Sequence, residues 1–100
     1  LEEIAGCHRN ARGILAVARS ALREHDFIRC AILLVEAVRK HEADTGNTLE
    51  ATRVREITAL RNAVAHAGKA TRESAKNAFS SRTQLEKTLQ DQLEWLAAQL

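Results

Sequence analysis

Proline is absent from this 100-residue chain, and glycine occurs only four times. With so few helix breakers, and with Ala, Leu, Arg and Glu prominent, the composition is that of an all-helical protein without strands. Tyrosine is missing too, and the aromatic residues are Phe27, Phe79 and Trp95 alone. That is too few for a surface on which single-stranded bases stack. Long apolar runs are also lacking. The longest, Cys30 to Val35, falls far short of a bilayer span, and the N-terminus has no basic-then-apolar signal layout. These absences point to a soluble cytoplasmic protein with no membrane association.

Cysteine and histidine are sparse in ways that restrict the chemistry. Cys7 and Cys30 both fall inside helical patterns, and without a secretory signal they read as small buried hydrophobes rather than a disulfide. His8, His25, His41 and His66 are scattered, one per helix or turn, without metal-ligand spacing. There is no Cys-x-x-Cys, His-Glu-x-x-His, Gly-x-Ser-x-Gly or Gly-rich phosphate loop. No metal and no cofactor are expected.

What the chain does have is 45% hydrophobic residues, enough for one modest core and a single domain over 1–100. It begins at Leu rather than Met, so a fragment of a longer protein is expected. Ile4, Ala11, Ile14, Leu15, Ala18 and Leu22 recur at the spacing of one buried stripe, which predicts a first helix from Leu1 to about Glu24. Arg9, Arg12, Arg19 and Arg23 form a ridge on another face of that helix. The ridge is either a solvated face or a track for nucleic-acid phosphates or an acidic partner.

His25-Asp26 interrupts the pattern, with Asp26 placed to cap a second helix from Phe27 to about His41. Phe27, Ile28, Ala31, Ile32, Leu34, Val35 and Val38 cover most of its circumference. This helix should be the most buried element, with Arg29, Glu36 and Lys40 on a narrow polar strip. Glu36 and Lys40 are spaced to pair with each other, or the Glu reaches a site. A linker follows from Glu42 to Thr48, where Gly46 and Asn47 supply turn chemistry. Thr48 is the expected cap of a third helix ending at Ala67, with Gly68 at the left-handed position after it. Thr71 then opens a long fourth helix to about Gln99, and Ser81 to Gln84 has the spacing of a capping box, marking a break or kink. Short turns between such helices give an up-down-up-down four-helix bundle.

The net charge of +2 hides a concentration of basic residues. Arg53, Arg55, Arg61, Lys69, Arg72 and Lys76 face only Glu56 and Glu73 over one stretch, a surface suited to a polyanion. Within it lies Leu60-Arg61-Asn62-Ala63-Val64-Ala65-His66-Ala67-Gly68. On an ideal helix Arg61 and His66 are ~7.5 Å apart in rise and ~140° apart in rotation, so they border one groove without touching. Asn62 and His66 share a face at i, i+4, so the amide is placed to orient the imidazole. His66 falls opposite the core residue Ile57, outside the core of its own chain; the plain alternative is that it only complements the helix dipole. A base and a cation beside a basic surface are the minimum for metal-free RNA cleavage. The base takes a 2′-hydroxyl proton and the cation stabilises charge on the phosphate.

Arg61-Asn62-Ala63-Val64-Ala65-His66 resembles the Arg-x4-His motif, with the frequent Asn after the Arg, of the HEPN domain (higher eukaryotes and prokaryotes nucleotide-binding). The leading Leu60, the trailing Gly68, the motif's place late in a third helix and the Leu-rich helix after it agree with that family. The resemblance implies a four-helix bundle that forms a homodimer and joins two motifs across a cleft. It further implies a metal-independent endoribonuclease of the kind found in toxin–antitoxin, abortive-infection and CRISPR-associated systems. Arg61 would contact the scissile phosphate, His66 would act as acid/base, and Asn62 would position them. Arg53, Arg55, Lys69 and Arg72 would assist on RNA phosphates, with Glu36 and Lys40 as accessory candidates. An antitoxin or nucleotidyltransferase partner fits the same picture. The chain departs from the branch in which the motif continues His-x-Tyr, since Ala67 and Gly68 follow His66 and no Tyr exists. Many HEPN domains are non-catalytic modules for nucleotide or RNA binding, sensing or dimerisation. That is the alternative reading.

Overall fold

The computed structural model describes residues 10–69 and 82–100. Its helices are α1 (Ala11–Arg23), α2 (Phe27–Thr45), α3 (Ala51–Lys69) and α4 (Arg82–Gln99), with no strand among the described residues. They form a bundle organised by α2, which packs against each of the other three, while α4 also packs against α1. Pairwise contacts set the directions. Arg12 meets Leu100 and His25 meets Glu86, so α1 and α4 are antiparallel. Arg53 lies over Trp95 and Glu56 meets Gln92, so α3 and α4 are antiparallel as well. The ends of α1 and α3 therefore share one end of the bundle with the start of α4.

The helices begin and stop for local reasons, and these correct several expected boundaries. The first does not run unbroken from Leu1 to Glu24, because Asn10 is extended and caps α1 by accepting from the Gly13 amide. Its end is a Schellman turn in which His25 donates to the Leu22 carbonyl and Asp26 to the Ala21 carbonyl. His25 takes the left-handed conformation there, φ 61°. Asp26 then caps α2 as expected, accepting from the Arg29 amide at 3.2 Å. That single residue closes one helix and opens the next.

Helix α2 runs one turn beyond His41, to Thr45, so the linker is shorter than Glu42 to Thr48. Gly46 ends it at φ 72°, donating to the Glu42 carbonyl. Thr48 is not the cap of α3. The Glu42 carboxylate takes the Leu49 amide at 2.8 Å, and the helix starts at Ala51. Gly68 does not terminate α3, which continues through it to Lys69; one helical Gly costs only about 1 kcal/mol. Ile4, Cys7, Arg9, Thr71, Phe79 and Ser81 lie outside the described residues.

The stripes meet in one core: Ile14, Leu15, Ala18 and Leu22 from α1; Cys30, Leu34, Val35 and Val38 from α2; Ile57, Leu60 and Val64 from α3; Leu89, Leu93 and Leu96 from α4. Leu34, Leu89, Leu93 and Leu96 are fully buried, each contributing about 1.5–3 kcal/mol. Helix α2 is central but not the most buried element: six of its 19 residues are buried against six of 13 in α1, and Ile28 and Ile32 stay 41% and 40% exposed. Three neighbours cover its other sides, and these two face outward with Glu36. No helix among the described residues is long and apolar enough to cross a membrane.

Cys30 is completely enclosed. Burial, with a smaller contribution from the Asp26 carboxylate, raises its thiol from 9.0 to about 12. A folded-state pKa above the unfolded one favours folding at lower pH, and that contribution fades as pH rises from about 9 towards 12. The native thiol should therefore resist a disulfide reagent at pH 8 and react only on unfolding, and Cys30→Ala should flatten the alkaline fall in denaturation free energy. Gly46 makes a separate prediction. A Cβ there would meet nothing within 4 Å, so Gly46→Ala should cost only the ~1–2 kcal/mol of the left-handed backbone. Gly46→Asn should cost less, both read by urea titration.

Candidate functional site

The site is built on the last two turns of α3. Ile57, Leu60 and Val64 are drawn into the core, and this fixes the rotation of the helix. His66, half a turn from Ile57, is thereby left exposed, and Arg61 is half-buried at the edge of the same helix. His66 makes no hydrogen bond or ion pair with the described residues. The placement expected from the spacing is present, with an imidazole facing outward and a guanidinium beside the core.

Asn62 behaves otherwise than expected. Its Oδ1 accepts from Arg61 Nη2 at 3.0 Å and from Arg61 Nε at 3.3 Å. The amide orients the guanidinium rather than the imidazole. Two donors of the guanidinium share that one oxygen, which leaves Nη1 of Arg61 outside this contact. Asn62 itself is exposed.

The surrounding candidates separate. Arg53 is turned inward, its guanidinium 5.5 Å from the Trp95 ring centroid, so it joins α3 to α4 by a cation–π contact rather than extending the basic face. Arg55 is exposed, donates weakly to the Ala51 carbonyl at 3.4 Å, and lies on the outward face with Asn62 and His66. Lys69 is the last residue of α3, with its side chain outside the described part, and Arg72 is outside altogether. Glu36 and Lys40 do not pair. Lys40 instead binds Asp44 at 3.2 Å, one turn on, and Glu36 is exposed on the outer face of α2. The carboxylate nearest to Arg61 in sequence, Glu56, accepts from Gln92 at 3.4 Å and is thereby directed towards α4. Among the described residues no group of three or more His, Cys, Asp or Glu converges as metal ligands.

Two basic residues outside the sequence-derived set take up notable positions. Arg39 of α2 lines a cavity of about 200 Å³ with Val54, Ile57 and Thr58, one turn of α3 before Arg61. Lys87 of α4 lines a groove of about 710 Å³ with Arg19, Leu22 and Arg23 of α1. Neither is conspicuous on its own helix; only the pairing of helices reveals them. No family model, curated protein or solved structure matches the chain.

The two neighbouring arginines make opposite predictions. Arg53→Ala should lower stability by roughly 0.5–1 kcal/mol through loss of the Trp95 contact, and Arg55→Ala should stay within about 0.5 kcal/mol of wild type. Urea denaturation followed by Trp95 fluorescence compares them directly.

Proposed function

We propose that the chain is a HEPN-type, metal-independent endoribonuclease acting in the cytoplasm as a homodimer, with Arg61 and His66 in the reaction. The observation that carries the reading is an outward His66, without a partner among the described residues, on the same helix as an Arg61 whose guanidinium is bonded to Asn62. In the reaction, His66 takes the proton of a ribose 2′-hydroxyl. The 2′-oxygen bonds to phosphorus, the bond to the 5′-oxygen breaks, and that oxygen leaves with a proton supplied by an imidazolium. The products are a 2′,3′-cyclic phosphate and a 5′-hydroxyl. Arg61 stabilises the added negative charge on the phosphoryl oxygens. Because ~140° of helix rotation separates the two side chains, a second copy facing the first supports the chemistry better than one chain does. Proton removal and proton delivery then fall to different histidines.

Toxin or antiviral activity, with an antitoxin or nucleotidyltransferase partner, is the setting the motif resemblance favours. Tyrosine modification has no acceptor here, since the chain contains no Tyr. A second reading has its own observation. Asn62 is committed to Arg61, so nothing among the described residues orients His66, which suits a non-catalytic module that binds nucleotide, RNA or protein through the same basic face.

Purified protein incubated with labelled single-stranded RNA in EDTA separates the readings. Wild type should produce 2′,3′-cyclic phosphate ends, and His66→Ala and Arg61→Ala should each lower the rate by about 100-fold or more while remaining folded. Wild-type cleavage no faster than either variant across several RNAs would end the nuclease reading in favour of the module. Asn62→Ala should retain His66 chemistry but lose phosphate affinity, seen as a rise in KM larger than the fall in kcat.

A further inference from the structure

The groove between α1 and α4 is lined by Arg19, Arg23 and Lys87 over a floor that includes Leu22. Its one acidic lining residue, Glu86, is held by His25 Nδ1 at 3.1 Å. None of the three cations forms an ion pair among the described residues. Along the same seam a second cavity, of about 260 Å³, is lined by Arg12, Arg19, Ala97 and Leu100. Arg19 lines both, and Arg12 at the far end donates to the Leu100 carbonyl at 2.9 Å. Arg12, Arg19 and Arg23 fall within ~40° on α1, and rise by ~16 Å from first to last. Lys87 stands across from them in the second turn of α4.

The geometry points to this furrow as a track for the phosphate backbone of single-stranded RNA. A row of cations with ~6 Å of rise between Arg19 and Arg23 matches the scale of successive phosphates on an extended strand. The near absence of aromatic residues favours backbone contact without base stacking. The inference rests on RNA being the substrate proposed above, but concerns binding rather than cleavage.

The test uses fluorescein-labelled single-stranded RNA and anisotropy titrations over a range of salt, with His66→Ala as the uncleaving parent. Adding Arg19→Ala, Arg23→Ala and Lys87→Ala should weaken binding at least tenfold at low salt. It should also reduce the slope of log affinity against log salt by about 2, the value for three phosphates on a single strand. The three side chains are exposed or groove-lining rather than core, and circular dichroism melting checks that the variant is folded; Arg19→Lys with Arg23→Lys should retain most affinity. Unchanged affinity and slope in the triple variant would overturn the track, whatever the cleavage assay shows. Conversely, lost binding in the triple variant beside a wild type that cleaves nothing upholds the track and removes only the nuclease reading. Competition by polyglutamate as strong as that by unlabelled RNA at equal charge would overturn the assignment to RNA in favour of an acidic protein.

Discussion

Because α2 lies against three helices at once, its inward side chains decide how closely the bundle closes. Leu34, Cys30, Ala37 and Val38 are almost without solvent contact, and the small ones allow neighbouring backbones to approach. The same burial makes Cys30 chemically quiet, since a thiolate at that position would be desolvated beside the Asp26 carboxylate. It also sets the rotation of α3. Once Ile57, Leu60 and Val64 occupy the core, Arg61 is bound to stand at the rim and His66 outside it.

The pair of groups at the candidate site is thus a by-product of hydrophobic packing, refined by one polar contact. Asn62 secures Arg61 from the adjacent position, which limits the entropy lost when the guanidinium meets an anion. The imidazole has no such restraint within the described chain. Within the described residues, then, one member of the pair has a polar partner and the other has none.

Basic residues that are close in sequence do not act together. Arg53 is drawn inward by Trp95 while Arg55, two positions on, faces outward, as the 100° step of a helix requires. Meanwhile the arginines of α1, distant in sequence from the motif, converge with Lys87 on one furrow. The electropositive surface is therefore organised by helix pairing, and the stretch of highest local charge is not its only centre.

The hydrophobic periodicity was enough to read four helices and the buried stripe of the first, while capping and turn chemistry marked Asp26 and Gly46. It also placed Arg61 at the rim and His66 outside, because side-chain direction on a helix follows from position alone once the buried stripe is known. Helix ends were less legible. Asn10, Glu42 and Thr45 redirected the boundaries through hydrogen bonds that compete with helix continuation, and several residues of equal capping potential stood nearby. What only the tertiary structure decided were the partners: Asn62 with Arg61, Lys40 with Asp44, Arg53 with Trp95, and the exposure of Ile28 and Ile32. A helical wheel specifies the direction of a side chain. Whether another helix, another charge or water lies in that direction depends on how the helices pack.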